Sequence, residues 1–226
     1  MQNQNIQNSF DKYESLLDDV NELNSQGYNT YFSQGVFKEK LRRKNACTHL
    51  RSLYLDIDCD GRDYATEEQA FDDLDKFIKT IGLPKPIVVH SGGGFHCYWH
   101  TGEDIPKDDW VVIARKLKGL CNFFNFKTDA NVTADESRLL RLPNTLNHKR
   151  NKQAQILINK KPTAWAELKL KIENAFSEHI GFDIHSAKKE QLDEDTKAMM
   201  KTDNFDSSFK KIVRKSLSGQ GCNQLK

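Results

Sequence analysis

Apolar residues at helical spacing open the chain. Phe10, Tyr13, Leu16, Leu17, Val20 and Leu23 recur every three or four positions and predict a first helix, ended by Gly27. Tyr31 to Phe37 predicts a strand. Arg51 to Cys59 alternates, with Leu53, Leu55, Ile57 and Cys59 on one face and Tyr54, Asp56 and Asp58 on the other. The next segment has the marks of a helix. Thr66 and Gln69 make a capping box, Phe71, Leu74, Phe77, Ile78 and Ile81 an apolar stripe, and Gly82 and Pro84 a stop. Ile87 to Ser91 and Phe95 to Trp99 are predicted as hairpin strands joined by Gly92, Gly93 and Gly94. Trp110, Ile113, Ala114 and Leu117 mark another helix, and Leu139 to Leu142 and Gln155 to Ile158 two more strands. Thr163 is placed to cap a last helix running through Phe176.

Strand, helix, hairpin, helix, strand in this order predicts an α/β (α+β) fold, a mixed sheet like an RNA-recognition-motif core with flanking helices. Residues 1–183 read as one folded domain. Residues 184–226, which include KKEQLDEDTK, read as a charged linker and the start of a C-terminal helical region, with Phe209 to Leu217 its candidate helix. The abrupt ending GCNQLK reads as a piece of a longer polypeptide. No internal repeat is visible.

Composition narrows the classes. Of 226 residues, 29% are charged and 37% hydrophobic, ordinary for a soluble domain with a core. The net charge of +2 is nearly balanced, so any attraction to nucleic acid must be local. Lys38, Lys40, Arg42, Arg43 and Lys44 form one basic cluster, and Lys149, Arg150 and Lys152 a second. No apolar run approaches the roughly 18 residues of a membrane span, and the polar N-terminus lacks the features of a signal peptide. Five scattered cysteines without a C-x-x-C suggest reduced thiols and a cytoplasmic protein.

Three constellations carry chemistry. In LYLDIDCD, Asp56 and Asp58 leave the same strand face, where their mutual repulsion would be relieved by a hard divalent cation. Solvated aspartates at a strand end are the plainer account. Asp60 continues the alternation, but Gly61 behind it favours a turn. In HSGGGFHCYW, the glycines let backbone approach a ligand, and Ser91, Gly93, Gly94 and His96 gather groups suited to a triphosphate. An ordinary glycine hairpin with a packed histidine is the alternative. Zinc at His90, His96 and His100 is not expected, because no further ligand stands at suitable spacing. In TDANVTADESRLLRLPNTLNHK, Asp129 precedes Arg138 and Arg141, whose forks match phosphate oxygens, although Arg138 could instead pair with Asp135 or Glu136.

The order of these motifs resembles the archaeo-eukaryotic primase superfamily, and within it the primase-polymerases of phages and other mobile elements. The resemblance runs from about Asn29 to Leu157. Asp56 and Asp58 match the hhhDhD metal motif and Ser91 to His96 the S-G-x-G-x-H nucleotide motif. Asp129 matches the third metal carboxylate. Arg138-Leu-Leu-Arg141-Leu-Pro143 matches the R-L-h-R-h-P run, followed by Thr145, Leu146, Asn147 and Lys149. The resemblance implies a template-directed nucleotidyltransfer enzyme, a DNA primase and polymerase acting in DNA replication by a two-metal mechanism. Asp56, Asp58 and Asp129 are then the catalytic residues and hold two Mg2+ or Mn2+ ions. Ser91, Gly93, Gly94, His96, Arg138, Arg141, Asn147 and Lys149 bind the dNTP or NTP. Asn147 departs from the histidine of cellular primases, and the zinc knuckle of those enzymes is lacking.

DNA template and primer are the expected partners, contacted by Lys40, Arg42, Arg43, Lys44 and Arg150, with a helicase or helical domain following in the full-length chain. The location implied is the cytoplasm of a bacterial host. Two alternatives are a rolling-circle nicking protein, which needs a paired-histidine metal motif that His96-Cys97-Tyr98 does not supply, and a non-catalytic nucleic-acid-binding module stacking bases on Tyr54 and Tyr98.

Overall fold

The computed structural model describes residues 6–8, 13–38, 42–61 and 63–181. In chain order these form α1 (Tyr13–Ser25), β1 (Tyr31–Ser33), β2 (Gly35–Phe37), β3 (Cys47–Asp58), α2 (Glu67–Thr80), β4 (Ile87–His90), β5 (Gly94–Pro106) and α3 (Lys107–Phe123). They continue as β6 (Leu139–Arg141), β7 (Leu146–Asn147), β8 (Lys152–Gln153), β9 (Gln155–Ile158) and α4 (Trp165–Phe176). The candidate helix at Phe209 to Leu217, the tail and Lys40 lie outside the described residues.

Five strands make the central sheet, in the order β2-β3-β5-β4-β9. Every pairing in it is antiparallel, where the sequence pattern suggested a mixed sheet. The reason is where β5 inserts. The glycine turn folds β5 back beside β4, and β5 also pairs with β3. Strands β3 and β4, joined through α2, therefore run parallel to each other with β5 between them. The α/β class and the RNA-recognition-motif-like core stand, with the strand directions corrected.

Register sets the faces. Leu53, Leu55 and Ile57 stand opposite Trp99, Cys97 and Phe95, and Asp56 stands opposite His96. Ala70, Leu74, Phe77 and Ile78 are the buried residues of α2. Phe71 meets Phe95 edge-on with centroids 5.5 Å apart, which places α2 on the apolar face of the sheet. The other face is not simply solvated. Tyr54 is fully buried, and its hydroxyl donates to the Asp135 carbonyl at 2.6 Å.

Local signals were followed in part. Thr66 caps α2 as predicted, its hydroxyl accepting the Gln69 N–H at 3.2 Å. Thr163 does not cap α4. Its N–H donates to the His100 carbonyl at 2.9 Å, and the Trp165 N–H is taken instead by Glu103 Oε1 at 2.8 Å. The strand expected over Tyr31 to Phe37 breaks at Gln34. Its first half pairs with β6 and its second with β3. The small β7–β8 hairpin was not anticipated. Gly61 has φ +89, in keeping with a turn after Asp60. Among the described residues no helix is long and apolar enough to cross a membrane, and Cys47, Cys59, Cys97 and Cys121 are unpaired.

Candidate functional site

A cleft of about 180 Å³ opens where the ends of β3, β4 and β5 meet β1, β6 and the β7–β8 hairpin. Asp56, Asp58, Ser91, Gly93, His96, Arg138, Arg141, Asn147 and Arg150 line it, together with Tyr31, Leu139 and Leu140. Residues spread over about a hundred positions of sequence are thus gathered in one place. Gly94 sits in the adjoining turn, and Asp129 stands beside Arg138. Lys149 is exposed on the hairpin.

Asp56 sits on β3, and its carbonyl accepts the Asp129 N–H at 2.9 Å. The segment that follows folds as three successive turns, with N–H to carbonyl bonds from Val132 to Asp129, Asp135 to Val132 and Arg138 to Asp135. Each turn advances the chain by three residues. They carry Arg138 back over the carboxylates, its Nη2 lying 3.8 Å from Asp56 Oδ2 and 3.8 Å from Asp129 Oδ2. The predicted alternative, a pairing of Arg138 with Asp135 or Glu136, is not found among the described residues, and Asp135 Oδ1 binds Ser137 and Lys44 instead. Arg138 Nε is buried without a partner.

The electrostatics are unusual for so small a volume. Burial, then the neighbouring Asp58 charge, pushes the Asp56 carboxyl up to about 7, against the pull of Arg138. Burial, then Arg141 and Arg138, pushes His96 down to about 3, so its imidazole is neutral near pH 7. The 3.6 Å approach of His96 Nε2 to Asp56 Oδ1 is therefore a contact of a neutral ring with the carboxyl and not an ion pair. Tyr98 OH lies 3.3 Å from His96 Nδ1. Arg141 is almost wholly buried, and it donates hydrogen bonds to neutral partners, Asn29 Oδ1 at 2.8 Å and Tyr31 OH at 3.0 Å. A buried guanidinium with neutral partners, facing a cleft, is suited to an anion.

The glycine turn is built by close approach. A side chain at Gly94 would place its Cβ 2.0 Å from the Ile57 carbonyl oxygen. Ser91 N–H and Oγ both donate to the Gly94 carbonyl, at 2.8 and 3.1 Å. Asn147 Nδ2 donates to the Ser91 carbonyl at 2.9 Å, and Asn147 Oδ1 accepts the Arg150 N–H at 3.3 Å. Arg150, expected at a DNA contact, thereby lies in the cleft beside Gly93.

The remaining candidates lie elsewhere. Arg42 donates to the Ser137 carbonyl and Lys44 pairs with Asp135 at 3.2 Å, so both brace the turn before Arg138. Arg43 precedes the short helical turn Lys44–Ala46. His90 faces Glu67, and His100 faces the Arg51 carbonyl, each apart from His96. Three residues of the site were missed in the sequence: Tyr31, Asn29 and Glu67. Tyr31 is half-exposed in the cleft, with the Arg141 guanidinium 4.8 Å from its ring centre. Its only signal was an aromatic residue opening a strand.

Among the described residues no three His, Cys, Asp or Glu side chains form a closed metal-ligand group. Asp56 and Asp129 share Arg138, and Asp58 lies two residues along the same strand. The donors are all carboxylates, and burial first, then the Asp58 charge, raises the Asp56 carboxyl against the pull of Arg138. Such a set fits a hard divalent cation of the Mg2+ or Mn2+ type.

The fold has counterparts. The AEP domain of the cyanophage S-2L primase-polymerase superposes with a TM-score of 0.51 at 19% identity, over 69% of this chain and 76% of that one. The fold is that of an archaeo-eukaryotic primase domain. The catalytic domain of the primase RepB', solved in complex with initiator DNA, gives a TM-score of 0.48 at 20% identity, over 79% of each chain. A replication protein of Clostridium perfringens is 27% identical over 151 residues, which are 65% of this chain. The match spans only 35% of that protein's length. No protein-family model matches the chain. On the primase fold, the cleft occupies the end of the sheet where β3 presents Asp56 and Asp58 and the β4–β5 turn presents Ser91 to Gly94.

Proposed function

We propose that this chain is the nucleotidyl-transfer domain of a replication primase-polymerase. It would join dNTPs or NTPs to a primer, or to a first nucleotide, on a DNA template. The observation that carries the reading is the convergence, in one cleft, of Asp56 and Asp58 with Arg138, Arg141 and Arg150 around the Ser91–Gly94 turn. Carboxylates beside a ring of arginines and a glycine turn supply the two things phosphoryl transfer needs, positioning and charge neutralisation.

Asp56, Asp58 and Asp129 would hold Mg2+ or Mn2+, which when bound activates the attacking hydroxyl and neutralises charge on the departing pyrophosphate. Arg141, held by Asn29 and Tyr31, receives phosphate oxygens from the buried side. Arg138 Nε offers a further donor, and Arg150 closes over the glycine turn. Neutral His96, fixed between Tyr98 and Asp56, donates or accepts a hydrogen bond without adding charge. Tyr31, on the rim, lies in reach of the base or sugar. The AEP domain and the replication protein described above support the same reading.

The decisive experiment is extension of a labelled primer on a DNA template with Mg2+ or Mn2+, comparing deoxy- and ribonucleotides. The double variant Asp56→Ala, Asp58→Ala is the control. Template-dependent extension that the variant loses is the expected result. DNA binding without any incorporation in the wild type would instead favour a binding module.

A further inference from the structure

We propose that Glu67 and His90 form a positioning dyad that locks the Ser91–Gly94 turn in the shape that receives the nucleotide. The proposal rests on the nucleotide reading of that turn. It starts from a histidine the cleft does not use. His90 ends β4, and its side chain is only 13% exposed. Its Nδ1 accepts the Gly92 N–H at 3.3 Å. A ring that accepts at Nδ1 carries its proton on Nε2. That nitrogen lies 2.9 Å from Glu67 Oε1, so the ring donates to the carboxylate. Glu67 is the first residue of α2, where the helix dipole favours a negative charge. The edge of Phe95, 5.8 Å away between centroids, packs against the same ring.

The bond falls where the turn is softest. Gly92 has φ +96, a conformation glycine adopts cheaply and leaves as cheaply. His90 holds it from one side. Asn147 holds the other, since a Cβ on Gly92 would fall 2.8 Å from Asn147 Nδ2. The turn is thus pinned between α2 and the β7–β8 hairpin, and the Gly92 amide is committed to His90. Lys152, 3.8 Å from Glu67 Oε1, completes a chain of contacts from α2 to the hairpin. Both of those side chains are about half exposed, so the ion pair adds little.

Two substitutions separate the halves of the dyad. His90→Asn keeps an acceptor near the Nδ1 position and drops the reach to Glu67. His90→Gln keeps the reach and loses the acceptor for Gly92. Hydrogen exchange of the Gly92 amide, followed by NMR in the full chain, reads the dyad without any activity. Protection is expected in the wild type, part of it in His90→Asn, with exchange at least about tenfold faster than wild type in His90→Gln, as for one lost hydrogen bond. Glu67→Ala, at an exposed position, is expected to fall between them.

In primer extension with Mn2+ and a dNTP, His90→Gln should raise KM about tenfold and leave kcat within about twofold, the signature of lost positioning. Unchanged Gly92 protection in His90→Gln overturns the proposal, and so does a fall in kcat at constant KM. A wild type that incorporates no nucleotide removes the proposed function, and the exchange measurement still decides the dyad.

Discussion

Asp56 and His96 face each other across β3 and β5 with pKa values displaced in opposite senses, and this makes their joint effect testable. The Asp56 carboxyl rises from 3.8 to about 7 on folding, so the native state holds the extra proton and stability falls as pH rises through that range. His96 drops from 6.5 to about 3, so the unfolded state holds the extra proton and stability grows as pH rises between those values. The two slopes oppose each other and largely cancel in the wild type without divalent metal. Asp56→Asn should unmask the rising limb, and His96→Gln the falling one. Each should change stability by roughly 2 to 4 kcal/mol across its window. Urea denaturation between pH 4 and 8 checks this, and parallel curves for all three proteins would contradict it. Arg141 carries a second prediction. A buried guanidinium with neutral partners is costly to the fold, so Arg141→Met should raise stability by about 1 kcal/mol while abolishing nucleotide incorporation. A destabilised variant would show that Arg141 serves the fold first. At this scale much was legible. Alternation alone put Tyr54, Asp56 and Asp58 on one face. What alternation could not give was the Arg138 contact with Asp56 and Asp129, because three turns, not a strand, deliver that guanidinium.

Elements supply the site by their ends. Strand β3 ends in Asp58, β4 ends in His90, β5 begins at Gly94 and β6 ends in Arg141. The cleft is a meeting of termini, held by side chains that cap or brace them. Helix α2 carries its own cap in sequence, and Thr66 was readable for that reason. Helix α4 does not. Its first N–H is satisfied by Glu103, 62 residues earlier in the chain, across the far end of β5. No local pattern announces a cap at that distance, and Thr163 offered a false one. Glu103→Ala should therefore cost about 1 kcal/mol in thermal or chemical denaturation, and Thr163→Ala close to nothing. The reverse order would return the capping role to Thr163. The β7–β8 hairpin was illegible for a related reason. Two-residue strands carry no periodicity, and the bond from Asn147 to Ser91, 56 positions away, emerges only in the fold.

For the whole described domain, the question is where a template could lie, since the cleft itself is lined by carboxylates and arginines. The two basic clusters seen in the sequence are not equivalent once folded. Arg42 and Lys44 are tied to the 135–137 turn that delivers Arg138, whereas Lys149, Arg150 and Lys152 stand exposed on the β7–β8 hairpin. A phosphate contact releases counterions and steepens the salt dependence of binding by close to one unit each. Lys149→Ala and Lys152→Ala should then each flatten the slope of log affinity for primer-template against log salt by about 0.7 to 0.9. Arg42→Ala and Lys44→Ala should leave the slope alone and raise KM for the nucleotide instead, through a displaced Arg138. A flattened slope in the second pair, with nucleotide KM untouched, would put the template on the opposite rim. The sequence named both clusters as DNA contacts because charge runs look alike in one dimension. Only the ties of Arg42 and Lys44 to Ser137 and Asp135 separate a support for Arg138 from the exposed hairpin residues.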